Sequence, residues 1–125
     1  MAPRKVLIVD DSKLLHRMFE MMLRQYPLVH AYDGQEALER LGENSDVDLV
    51  LLDLNMPRMN GLELLKAMKA DASFQRIPVV LVTTEGSDEQ TQRGLEAGAA
   101  AYVKKPFRNE ELIAVVQRLT SSPAA

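Results

Sequence analysis

The chain has no cysteine among its 125 residues, which rules out a disulfide framework and any zinc site built on thiolates. Histidine is nearly as scarce. His16 and His30 are the only two, too few and too far apart along the chain to suggest a histidine-ligated metal. A surplus of positive charge is missing as well: the net charge of −3 is wrong for a protein that binds nucleic acid by neutralising phosphates. No apolar run reaches the length of a membrane span, and VLIVD, which follows MAPRK directly, is too short for the core of a signal peptide. Internal repeats and low-complexity tracts are absent too. What is present is 46% hydrophobic and 26% charged residues, the balance of an ordinary globular protein at a length suited to one core. These features set the expectation of a cytoplasmic protein with no membrane insertion and no direct contact with nucleic acid.

Short apolar runs alternate with longer amphipathic ones. VLIVD (6–10), LVHAY (28–32), DLVLLD (48–53), PVVLVT (78–83) and AAYVK (100–104) read as strands. Most show no polar alternation, as expected for strands covered on both faces of a parallel sheet. The segments between them carry helix start signals. Ser12 is placed to cap KLLHRMFEMML, Asp33 with Glu36 forms a capping box before ALERL, and Asn60 with Glu63 does so before LLKAMKA. Ser87 with Gln90 precedes TQRGLEA, and Asn109 is placed to cap EELIAVVQRL. Five βα units predict an α/β fold with helices on both faces of a parallel sheet. Such folds gather their function at the carboxyl ends of the strands. The terminal TSSPAA reads as a frayed tail or the start of a linker.

The predicted strand ends are rich in oxygen. Strand one ends in Asp10-Asp11-Ser12, strand three in Asp53-Leu54-Asn55, strand four in Thr83-Thr84-Glu85, and strand five in Lys104-Lys105 before Pro106. Three carboxylates on one rim repel one another and call for a cation or raised pKa values. Oxygen donors of this kind suit a hard ion such as Mg²⁺. A metal together with a lysine suggests a site for a phosphoryl group.

Two rival phosphate chemistries fit poorly. A nucleotide or flavin site needs a loop after strand one that presents backbone N–H groups to phosphate, but here the loop is DDSKLL, acidic and without glycine. Phosphatases resembling the haloacid dehalogenases place a second Asp two residues after their nucleophile. This chain has Asn55 there, an amide that cannot act as a general acid at neutral pH, and the pair follows the third strand rather than the first. A phosphoryl group on Asp53 would be stored rather than quickly discharged.

In combination, VLIVDDS, AYDGQEAL, LVLLDLNMPRMNGLELL, IPVVLVTTE and GAAAYVKKPF resemble the response-regulator receiver domains of two-component signalling, over almost the whole chain. With Thr83-Thr84-Glu85 and no appended domain, the chain looks like the single-domain, chemotaxis type. The resemblance implies a flavodoxin-like (βα)5 fold with strand order 2-1-3-4-5. It also implies one receiver domain over 1–125, folded over about 4–120 with a flexible tail at 121–125. Asp53 would be the phosphoacceptor. Asp11 would bind Mg²⁺ directly, Asp10 mainly through water, and the Asn55 backbone carbonyl would complete the protein's ligands alongside Asp53. Thr83 would hydrogen-bond the phosphoryl group, and Tyr102 would be the aromatic switch. Lys105 would pair with the phosphate, its bond to Pro106 would be cis, and Asn55 and Glu85 would line the path of hydrolytic water.

The implied function is Mg²⁺-dependent phosphoryl transfer from the phosphohistidine of a histidine kinase or phosphotransfer protein. Phosphorylation would then alter a helix 4/strand 5/helix 5 surface that binds a downstream protein target. The chain would be a monomer and no enzyme beyond its own phosphorylation and dephosphorylation. The alternatives are a phosphate sink or phosphorelay intermediate, and a receiver fragment of a larger DNA-binding regulator. Two departures from the family pattern stand out: LRQYPLVHAY is a residue or two short between helix one and strand two, and the lysine is doubled at Lys104. Neither touches the phosphorylation site.

Overall fold

Aliphatic runs that end at acidic, hydroxyl or basic residues give five short strands, and the amphipathic stretches between them give five helices. The computed structural model describes residues 5–44, 46–54, 61–84 and 88–121. In chain order the elements are β1 (Lys5–Val9), α1 (Lys13–Met22), β2 (Leu28–Ala31), α2 (Gly34–Glu43), β3 (Val47–Asp53), α3 (Gly61–Lys69), β4 (Val79–Thr83), α4 (Asp88–Glu96), β5 (Ala101–Lys104) and α5 (Asn109–Ser121). The strands form one parallel sheet in the order β2-β1-β3-β4-β5. This is the expected flavodoxin-like (βα)5 architecture.

The unbroken apolar runs are explained by two cores, one on each face of the sheet. Successive residues of a strand point to opposite sides. Leu7 and Val9, Val50 and Leu52, and Val79 and Leu81 therefore pack against Ala37 and Leu41 of α2 and Leu64, Leu65 and Met68 of α3. The alternate residues, Val6 and Ile8, Leu49 and Leu51, and Val80 and Val82, pack against Phe19 of α1, Leu23 just beyond it, and Leu112 and Val116 of α5. The central strands β1, β3 and β4 are almost wholly buried, whereas the edge strands β2 and β5 keep partly exposed positions.

The helix starts follow the side chains that can hold them. Ser12 Oγ accepts from the Leu15 amide at 3.2 Å, and Asp33 Oδ1 accepts from the Glu36 amide at 2.8 Å. The second arm of the predicted capping box differs. Glu36 Oε1 accepts from the amide of Tyr32 at 2.8 Å, one residue outside the cap. Helix α5 includes Asn109, and its first turn closes on the carbonyl of Arg108, which accepts from Leu112 at 3.2 Å; the cap lies one residue earlier than predicted. Asn60 and Ser87 fall outside the described residues. The short connection before β2 is met by stopping α1 at Met22, with the Leu23 amide closing on the Phe19 carbonyl.

Because Asp33 satisfies an α2 amide with no partner inside the helix, Asp33→Ala should lower the unfolding free energy by about 1 kcal/mol. Urea denaturation with an unchanged dependence on denaturant would measure it.

Candidate functional site

The register of the sheet brings the polar strand ends together. Val9 of β1 lies beside Leu52 of β3, so Asp10 and Asp53, the next residues, emerge side by side. Asp53 lies beside Val82 of β4, and Thr83 beside Lys104 of β5. The Lys105 amide donates to the Thr83 carbonyl at 2.7 Å, which holds the second lysine at the same rim. The Lys105–Pro106 peptide bond is cis.

Alternation then sorts these side chains between the two faces. Asp10 and Asp53 continue the series Ile8 and Leu51, toward the α1/α5 side. Thr83, Tyr102 and Lys104 fall on the α4 side. The two lysines separate accordingly. Lys105 Nζ lies 3.9 Å from Asp10 Oδ2, whereas Lys104 Nζ lies 3.4 Å from Asp88 Oδ1 at the start of α4. The second pair is largely solvated and contributes little to stability.

Asp10, Asp11 and Asp53 each offer a carboxylate oxygen, and these oxygens lie within 4.8 Å of one another. Asp10 and Asp53 are buried, at 2% and 5% exposure, while Asp11 is exposed. Asp10 Oδ1 accepts from the Ser12 amide at 2.8 Å. Among the described residues its Oδ2 has no hydrogen-bond partner, since Lys105 at 3.9 Å is near enough to attract but not to donate. A buried anionic oxygen in that position, flanked by two more carboxylates, fits a hard divalent cation as its missing partner.

Behind the acidic rim, Gly61 opens α3 against the end of β3. A Cβ at Gly61 would meet the Asp53 carbonyl oxygen at 2.6 Å and Leu54 Cα at 2.8 Å, both main-chain atoms that cannot give way. Only glycine permits this approach. Beside Thr83, a cavity of about 240 Å³ is lined by Asp88, Thr91, Gln92, Leu95, Tyr102 and Lys104. Tyr102 stands at its edge with half its surface exposed.

Asp10, Asp11, Asp53, Thr83 and Lys105 thus meet at one rim, with Tyr102 on the α4 side behind it. Asn55 and Glu85 lie outside the described residues. Sequence reasoning overlooked one contact here. His16 and His30, 14 positions apart, touch through their Nδ1 atoms at 2.6 Å, because α1 crosses over to make β2 the neighbour of β1. An available signal was the position of His16 on the apolar face of α1, one residue from Leu15 and three from Phe19.

Burial pushes the Asp10 carboxyl above its ordinary value, opposed by the Ser12 amide and the Lys105 ammonium and reinforced by Asp11. The folded protein therefore holds this proton more tightly than the unfolded chain, so Asp10's contribution to stability falls as pH rises from the ordinary carboxylate range through the raised pKa. At neutral pH without divalent cation, Asp10→Asn should raise the unfolding free energy by about 1–2 kcal/mol. Urea titrations at several pH values should show that advantage shrinking as the solution is acidified through the raised pKa, and shrinking also when Mg²⁺ is added.

The response regulator receiver domain family matches residues 6–117. The chain is 38% identical over 111 residues to the chemotaxis protein CheY1 of Helicobacter pylori, covering 86% of this chain and 90% of that protein. Its fold superimposes on the chemotaxis protein CheY4 of Vibrio cholerae with a TM-score of 0.86 at 37% identity, over 94% of this chain and 99% of that one. The receiver domain of a signal transduction histidine kinase from Syntrophus aciditrophicus gives a TM-score of 0.88 at 31% identity, over 97% of this chain and 92% of that one.

Proposed function

The chain belongs to the response-regulator receiver family, and from that footing we propose that it is a single receiver domain and a phosphorylation-dependent switch with Asp53 as its phosphoacceptor. The observation that carries this reading is the cluster of Asp10, Asp11 and Asp53 within 4.8 Å, with Lys105 3.9 Å from Asp10. Membership in the family implies self-phosphorylation and self-dephosphorylation and no catalysis on an external substrate. It also supports a kinase or phosphotransfer protein as partner. Among the described residues no helix is long and apolar enough to cross a membrane.

An Asp53 carboxylate oxygen attacks the phosphorus of a phosphohistidine on the donor protein. The phosphorus–nitrogen bond breaks, and the leaving imidazole keeps the electron pair and takes up a proton. Asp10 and Asp11, with Asp53 and the Asn55 carbonyl, are the groups that would hold Mg²⁺. Bound there, the ion supplies positive charge to the phosphoryl oxygens. Lys105 adds a second positive charge at the same rim. By the family resemblance, Asn55 and Glu85 would modulate the later hydrolysis of the acyl phosphate by water.

The signal then crosses to the other face. Thr83 turns toward the new phosphoryl oxygens, which enlarges the cavity it shares with Tyr102. Tyr102 moves inward to fill it, and the α4/β5/α5 surface changes shape for a downstream protein target. Phosphorylation favours this state only by the difference in its interactions with the two arrangements. Lys104 lies on the output side, where its pairing with Asp88 ties the end of β5 to α4.

With Mg²⁺ and acetyl phosphate, intact-mass measurement should show one added phosphoryl group, and Asp53→Asn should lose it. Undiminished labelling of that variant would exclude Asp53 as acceptor. Lys105→Ala should slow the gain of phosphate by one to two orders of magnitude, about 1.4–2.8 kcal/mol in barrier. Lys104→Ala should leave that rate within about twofold and alter only target binding. A reversed outcome would move the functional lysine by one residue.

A further inference from the structure

The histidine pair lies directly behind the acidic cluster and has no part in the chemistry above. His16 is buried, at 2% exposure. Its Nε2 lies 2.8 Å from the backbone carbonyl oxygen of Asp10, and its Nδ1 lies 2.6 Å from Nδ1 of His30. A carbonyl oxygen can only accept, so Nε2 of His16 carries the hydrogen. Where both rings are uncharged, Nδ1 of His16 is a lone pair and His30 donates to it from its own Nδ1. The remaining nitrogen of His30, Nε2, lies 3.9 Å from Glu20 Oε2. The Tyr32 ring lies against His16, with centroids 4.3 Å apart.

A buried histidine whose hydrogen bonds are satisfied is an ordinary core feature. Here the acceptor makes the difference. The carbonyl of Asp10 belongs to the peptide that joins Asp10 to Asp11, the point at which the chain leaves β1. On the other side of Asp10, its amide is already fixed to the Ala31 carbonyl at 3.1 Å. Asp11 itself is exposed and lies beyond the strand, so the sheet does not set the direction of its carboxylate. The plane of the peptide before it fixes where its Cα, the origin of that side chain, is placed.

We propose that His16, held in place by His30, is a positioning residue for the phosphoacceptor site: by fixing the Asp10–Asp11 peptide it aims the exposed Asp11 carboxylate at Asp10 and Asp53. Burial, and then the proximity of His16, push the pKa of His30 below its ordinary value against the pull of Glu20, which favours an uncharged His30. The role resembles that of the outer hydrogen bonds that orient metal ligands elsewhere, whose loss costs about 10–100-fold in affinity. The inference rests on the reading of this cluster as a divalent-cation and phosphoryl site.

The test combines Mg²⁺ binding by calorimetry, acetyl phosphate labelling over a range of Mg²⁺ concentrations, and imidazole ¹⁵N spectra of the intact chain. His16→Ala should weaken Mg²⁺ binding about tenfold and raise the half-saturating Mg²⁺ for labelling by the same factor, with less change in the rate at saturation. His16→Gln places an amide donor near the same carbonyl and should recover most of the loss. His30→Ala should fall between the wild type and His16→Ala. In the wild type, His16 should show a protonated Nε2 and an unprotonated Nδ1, with nitrogen–nitrogen coupling to His30.

A folded His16→Ala with wild-type Mg²⁺ affinity would overturn the proposal, as would a folded His16→Gln no better than His16→Ala. If His16→Ala does not fold, His30→Ala and the ¹⁵N spectrum decide: wild-type affinity in the first, or a His16 Nε2 that carries no hydrogen, rejects the role. Undiminished labelling of Asp53→Asn would count against the phosphoacceptor reading alone, since the Mg²⁺ and ¹⁵N measurements do not depend on phosphate.

Discussion

Everything distinctive about this molecule follows from the mutual repulsion of carboxylates that a parallel sheet holds side by side. Register brings Asp10 and Asp53 out on adjacent strands, on the same face and nearly without solvent, and Asp11 adds a third charge at their border. Water would spread such charges apart, but the sheet cannot, because Val9 and Leu52 immediately below them are locked into the core. The arrangement is therefore poised to take up positive charge. One lysine, too distant for a hydrogen bond, relieves it only in part.

The surrounding structure confines that tension. Gly61 lets α3 close against the main chain of Asp53, so the end of β3 has little room to retreat. The Lys105 amide is tied to the Thr83 carbonyl, which joins the ends of β4 and β5. Phe107, just past this tie, stacks on Phe19 of α1 with ring centroids 6.0 Å apart, which anchors the loop to the second core. The floor of the rim is thus packed on the α1/α5 side, while the cavity beside Thr83 lies on the α4 side.

Most of this was legible in the sequence because it depends on order and period. Unbroken apolar runs announced strands covered on both faces, and five of them alternating with helical patterns left few topologies. The polar residues closing those runs identified the rim, since strand ends in a parallel sheet share one side. Other features depend on distances between segments, which one sequence does not carry. The contact between His16 and His30 requires knowing that β2 lies beside β1 and which side of α1 turns inward. The close approach at Gly61 was hidden in a stretch that reads simply as the start of a helix. Glu36 reaches the Tyr32 amide, a backbone detail below the resolution of any motif.

The alternation along β5 has a consequence for how such a protein can change over time. Residues at one parity, Val103 and then Lys105, belong to the core and the charge chemistry; those at the other, Tyr102 and Lys104, look outward. Under the proposed function, a substitution at Lys104 would change the surface offered to a partner while leaving the acidic rim and its neighbour Lys105 as they are. Two selective pressures would then act on adjacent residues at the end of β5 without competing for the same side chain. A lineage would gain a new listener and keep the same chemistry.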